Sequence, residues 1–268
     1  MNRPANSIGI ATMLSLLIAL LAGCAPPAQA PASAPAAEPA AATGPQRGGQ
    51  AIVVYKDDLA TLDPAVGYDW TNWPTIKMVF DGLLDYDDTT NLMPRLAEAM
   101  PEVSEDATVY TFKLREGVKF QNGREVVADD VVYSITRVLD PDTASPGAGF
   151  YVGIKGAQEF MDGAASSVEG IQALDKYTVQ FTLNSPDVTF LNKMALNFAF
   201  IVPKEEVEAA GADFGHAPVG TGPFILKEWQ PGQYLLFERN PDYFYEGLPY
   251  LDSVRIEVGV APDVALLR

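Results

Sequence analysis

Residues 47–268 alternate strand-like and helix-like segments, which predicts an α/β fold. Three stretches carry that reading. Residues 110–137, YTFKLREGVKFQNGREVVADDVVYSITR, read as strand, turn and helix; residues 177–183, YTVQFTL, alternate apolar and polar; residues 73–84 place Ile76, Val79, Phe80 and Leu83 at helical spacing. In chain order, residues 50–55 form a buried strand through Ala51-Ile52-Val53-Val54, and residues 56–64 form a loop. A helix follows over 73–84, with Pro74 in its first turn. Tyr110, Phe112 and Leu114 point one way along the next strand, and Asn122-Gly123 supplies a tight turn requiring positive φ. Asp129 or Asp130 caps a helix whose apolar side is Val131, Val132, Ile135, Val138 and Leu139. Tyr177, Val179, Phe181 and Leu183 share a strand face, residues 190–196 make a short helix, and residues 235–239 and 254–258 are the last two strands. No internal repeat is present.

Residues 1–23 read as a secretory leader. Arg3 is the only charge before Glu38, and residues 8–21 are a nearly unbroken apolar run, short of the ~20 residues that span a bilayer. The run ends in Leu21-Ala22-Gly23-Cys24, the form of a signal-peptidase II lipobox, which makes Cys24 the expected lipidation site. An uncleaved anchor helix is the alternative, and either anchor holds the folded part outside the cytoplasm. Cys24 is the only cysteine, so a disulfide or cysteine metal cluster within the chain is excluded. Residues 24–46 then form a tether: sixteen of the 22 residues after Cys24 are Ala or Pro, with no apolar periodicity. The net charge of −17 makes nucleic acid or an anionic bilayer surface a poor electrostatic partner.

The wording of 110–137, together with VGTGPFILKEWQPGQYLLFERNPDYF at 219–244, resembles the bacterial extracellular solute-binding proteins of family 5, the peptide- and nickel-binding receptors of ABC importers. Leu62-Asp63-Pro64 and Pro94-Arg95-Leu96-Ala97-Glu98 resemble further segments of that family, so the likeness covers roughly 48–268. It implies a periplasmic-binding-protein-like first lobe (type II, cluster C-like). A mixed-sheet core domain would take 47–68 and 175–258, a smaller inserted α/β domain 69–174, and a crossover would begin at 259–268. Family members run to about twice this length because a second lobe follows, so half of the binding site is expected to be missing here. The implied role is non-enzymatic, without a cofactor: capture of an oligopeptide or similar small solute and delivery to a membrane permease. A half-receptor without transport activity and a lone-lobe sensor or adaptor are the alternatives. By position, Asp58-Leu59-Ala60 matches the segment that pairs with a peptide backbone.

Motifs for other chemistry weaken on inspection. Gly220-Thr221-Gly222 is followed by Pro223 and lacks the third glycine of a dinucleotide site, so it reads as a turn before a strand. His216 is the only histidine and has no recognisable triad context; it also makes a free nickel site unattractive. The pairs Asp57-Asp58, Asp87-Asp88 and Asp129-Asp130 lack EF-hand spacing. The groups Tyr68, Trp70 and Trp73, and Tyr243, Phe244 and Tyr245, suit core packing or a cleft wall, and Trp70 is the candidate for the wall.

Overall fold

A computed structural model describes residues 45–265; the expected leader, Cys24 and nearly all of the tether lie outside the described residues. The elements in chain order are β1 (Gln50–Val54), α1 (Asn72–Val79), β2 (Leu84–Tyr86), β3 (Leu92–Pro94), β4 (Glu102–Val103), β5 (Val109–Lys113), α2 (Ala128–Leu139), α3 (Ala157–Met161), β6 (Ile171–Asp175), β7 (Thr178–Thr182), α4 (Phe190–Lys193), α5 (Lys204–Ala210), β8 (Phe224–Gln230), β9 (Tyr234–Arg239), β10 (Ser253–Glu257) and α6 (Pro262–Ala265). They build two four-stranded sheets and the two-stranded antiparallel pair β2-β3. The first has the order β1-β10-β9-β8, with β1 parallel to β10 and the other pairs antiparallel; the second, β4-β5-β7-β6, is antiparallel throughout. The fold is therefore the mixed α/β type the sequence predicts.

Each sheet has its own core. Val254, Ile256, Leu235 and Phe237 of the first sheet pack with Ile76, Val79 and Phe80 at α1. Full burial of such side chains contributes about 1.5–3 kcal/mol each. Phe112, Val179 and Phe181 of the second sheet pack with Val131, Ile135, Val138 and Leu139 of α2. The expected division at 68 and 174 does not follow these sheets. Helix α1, expected in the insert, packs in the first core, and β7, expected in the returning core domain, pairs with β5 in the second sheet.

Local expectations fail where a distant segment intervenes. Strand β1 is not buried throughout: Ile52 is 60% exposed, because β1 is an edge strand and only Ala51 and Val53 pack against the core. Helix α1 stops at Val79 although the apolar spacing runs on, since Phe80 is extended and the Val79 carbonyl accepts the Gly222 amide at 2.8 Å. A Cβ on Gly222 would lie 2.5 Å from the Val79 carbonyl carbon, so the Gly220-Thr221-Gly222 turn needs glycine for close backbone approach. At Gly123 the φ of 89° meets the expected turn requirement. Val127, not an aspartate, occupies the cap position of α2. Asp130 caps from within the first turn, its Oδ2 accepting the Val127 amide at 2.9 Å while Arg124 grips both carboxylate oxygens at 2.7 and 2.9 Å. Asp129 is exposed.

Between the two cores sits Asp81, flanked by Phe80 of the first and Leu83 of the second. Its carboxylate accepts from Arg95 Nε at 2.8 Å and Thr221 Oγ1 at 2.9 Å, and Arg95 Nη2 donates to the Tyr243 hydroxyl at 2.8 Å. Burial pushes the Asp81 carboxyl up from its ordinary value, against the pull of Arg95 and Thr221. Burial also raises Tyr243, which stays neutral and accepts from Arg95. Removing one partner of such a pair leaves a buried charge. Arg95→Met should therefore lower stability by about 3–5 kcal/mol in urea unfolding, and Asp81→Leu/Arg95→Met should recover part of the loss. A double variant no better than the single would contradict this account.

On the surface of the second sheet, Glu125 accepts from Lys176 Nζ at 2.7 Å, the Tyr177 hydroxyl at 2.9 Å and the Gly117 amide at 2.8 Å, which hold its carboxyl down to about 2. A carboxyl depressed in the folded state contributes stability above its unfolded value near 4.5, and that stability is lost as pH falls toward 2. The gap in unfolding midpoint between the wild type and Glu125→Gln should be open at neutral pH and close on acidification through that window. A gap independent of pH would sink the assignment.

Candidate functional site

The connection from β1 to α1 leaves the carboxyl end of a parallel strand pair, where open α/β sheets place ligands. Its conformation is set from both sides of Ala60. Upstream, Asp58 Oδ1 accepts the Leu59 amide at 2.8 Å, and Oδ2 accepts the Gly232 amide at 2.7 Å in the turn between β8 and β9. Leu59 is buried in the first core. Downstream, the Leu62 amide donates to the Gly215 carbonyl at 2.9 Å. Arg137 of α2 then holds Asp63 through two bonds of 2.8 and 2.5 Å. Bidentate pairs of this kind are geometrically demanding. Ala60 itself is exposed, and its amide and carbonyl have no partner among the described residues. The loop therefore presents a short backbone segment, Ala60 and Thr61, unpaired among the described residues, between the anchored Leu59 and Leu62.

Further along the same connection, Asp69 Oδ1 accepts from the Thr71 amide (2.9 Å), the Thr71 hydroxyl (2.8 Å) and the Asn72 amide (2.7 Å), closing the entry to α1. This Asp-x-Thr-Asn pattern is a capping signal in the sequence, though the apolar spacing alone misses it. Trp73 Nε1 donates to the Gly67 carbonyl at 3.1 Å, and its ring meets Tyr68 and Phe198 at centroid distances of 5.7 and 5.9 Å. Trp70 stands apart, 92% exposed and without a ring partner among the described residues. Tyr68, Asp69, Trp70, Trp73 and Pro74 line an open concavity of 570 Å³.

Of the four residues the sequence nominates for ligand contact, Asp58 and Leu59 are engaged in holding the loop, Ala60 is free, and Trp70 lies in a concavity that none of the other three lines. Tyr243, Phe244 and Tyr245 pack on one another at centroid distances of 4.6–5.8 Å, with Arg95 over Tyr245. His216 lies in a loop, its ring 4.7 Å from that of Trp229. Among the described residues, no three His, Cys, Asp or Glu side chains are grouped to hold a metal, and no helix is long and apolar enough to cross a membrane.

Two packed α/β cores and a clamped loop at the carboxyl end of β1 have the architecture of part of a periplasmic-binding-protein-like lobe. The chain belongs to the bacterial extracellular solute-binding proteins of family 5, whose middle-region model matches residues 91–268. It is 34% identical to di/tripeptide-binding protein 4 of Pseudomonas aeruginosa over 209 residues, covering 72% of this chain and 37% of that protein. It is 30% identical to the oligopeptide-binding protein AppA of Bacillus subtilis over 265 residues, covering 96% of this chain and 45% of that one. The solved murein tripeptide binding protein MppA of Escherichia coli superposes with a TM-score of 0.73 at 30% identity, over 80% of this chain and 42% of MppA. The chain spans less than half the length of these relatives.

Proposed function

We propose that this chain forms the first ligand-contacting lobe of an extracytoplasmic receptor for an ABC importer, and that the ligand is an oligopeptide or similar small solute. The observation that carries the reading is the free peptide unit at Ala60, held between Asp58 and Leu62. A clamped, unpaired backbone segment is suited to strand-like hydrogen bonding with a peptide, a mode that gives affinity without demanding a particular sequence. Pre-organisation lowers the ordering cost of that contact. The peptide ligands named for the relatives support the same class. Binding then favours a closed arrangement of lobes, which a membrane permease recognises. No catalytic step is required of any residue. Cys24, after its lipobox, is the proposed lipid attachment point, with residues 25–46 as the tether between membrane and lobe.

Titration of the chain with trialanine, followed by amide NMR, tests the contact. The Ala60 amide should shift on binding. Ala60→Pro, which removes that donor, should weaken affinity about fivefold or more, as expected for one hydrogen bond of about 1 kcal/mol, at an unchanged unfolding midpoint. Equal affinity in the proline variant would overturn the backbone contact. Independently, Cys24→Ala should abolish incorporation of a clickable fatty acid and leave the precursor at full length; labelling of the variant would refute the anchor.

A further inference from the structure

The concavity at the start of α1 has an unusual mixture of groups. Two exposed rings, Tyr68 (58% exposed) and Trp70 (92%), flank Asp69 in sequence, and all three line the depression. Tyr68 is backed by Trp73 and Phe198, at centroid distances of 5.7 and 5.4 Å, and Phe150 stacks on Phe198 at 6.0 Å. Tyr68 thus rests on a rigid aromatic base, whereas Trp70 offers its indole to solvent. Asp69 Oδ1 is saturated by three donors, and Oδ2 has no partner among the described residues. Among the described residues, no lysine, arginine or histidine lines the depression, and the whole chain carries a net charge of −17.

These groups discriminate between kinds of occupant. Aromatic faces carry negative electrostatic potential and attract ammonium or guanidinium groups. A neutral apolar side chain would cover the rings but leave the free oxygen of Asp69 desolvated without a partner. An acidic side chain would meet that carboxylate with like charge. A basic side chain suits both features: its apolar stem lies along the rings and its charged end reaches the carboxylate.

We propose that Trp70 and Tyr68, with Asp69 between them in sequence, form a side-chain pocket that takes the ammonium or guanidinium end of a lysine or arginine in the captured peptide. The source of that group rests on the peptide reading above; the chemistry of the pocket does not. Trp70 is then the residue that sets side-chain preference, while Ala60 binds backbone common to all peptides.

The test uses the whole chain labelled with ¹⁵N, following the Trp70 indole N–H, assigned by its loss in Trp70→Leu. Ala-Arg-Ala and Ala-Lys-Ala should bind about three- to fivefold more tightly than Ala-Leu-Ala, the range of an exposed cation–π contact, and Ala-Glu-Ala most weakly. That advantage should vanish in Trp70→Leu. It should shrink in Asp69→Asn, which keeps the Oδ1 acceptor that caps α1. Equal or tighter binding of Ala-Leu-Ala, or an advantage that survives Trp70→Leu, would overturn the proposal. A second titration with N-acetyl-arginine amide and N-acetyl-leucine amide separates the two readings. If the tripeptides fail to bind but the arginine amide shifts the Trp70 indole more than the leucine amide does, the peptide reading falls and the pocket stands. If the two amides act alike, or neither acts, the pocket is refuted.

Discussion

A carboxylate placed between two hydrophobic cores must find partners there, and that constraint organises this lobe. Asp81 draws Arg95 from the end of β3, Thr221 from the glycine turn ahead of β8 and, through Arg95, Tyr243 from the segment after β9. Leaving such a charge unpaired costs several kcal/mol, a large share of the roughly 5–15 kcal/mol that holds a domain folded. The four segments consequently have to assemble together. The same turn that carries Thr221 also receives the last carbonyl of α1, so the ion pair and the helix end are parts of one junction. The sheets have separate cores, yet neither can shift far without disturbing the Asp81 cluster.

The proposed contact loop between β1 and α1 is tied to elements of both sheets' cores. The loop is anchored to α2 by Asp63 and to the turn between β8 and β9 by Asp58. Motion of either sheet relative to the loop is resisted by charged hydrogen bonds, which are stronger than neutral ones. The exposed peptide unit at Ala60 and the aromatic group at the start of α1 therefore belong to a firm surface. In a receptor that closes on its ligand, a firm wall lets the contact energy go into closure instead of into ordering the wall.

Elements whose determinants are local were legible in the sequence. Tyr110, Phe112, Val179 and Phe181 alternate because both strands have one buried face, and the apolar stripe of α2 follows directly from its spacing. The glycine turn and the last two strands were equally readable. What escaped was set by distant partners. The end of α1 depends on Gly222, the exposure of Ile52 on an edge position in the sheet, and the placement of β7 on pairing with β5. At the candidate site, the residues nominated from sequence came without the contacts that hold them. Nothing near Asp58 in the sequence announces that its carboxylate is spent on Gly232, or that the exposed Ala60 keeps a free backbone.

The pairing of β1 with β10 carries a consequence for biogenesis. Gly49 and Asp252, which join at the start of this pair, are 203 residues apart, and among the described residues β10 is the only sheet neighbour β1 has. Strands β4 to β7 find all their partners within one contiguous stretch, whereas β1, the first of the described strands, waits for β10. Closing so long a loop is entropically costly and slow. A polypeptide emerging from a ribosome or a translocation channel therefore carries β1 unpaired until Ser253–Glu257 has emerged. Throughout that interval its apolar edge is open to chaperones and proteases.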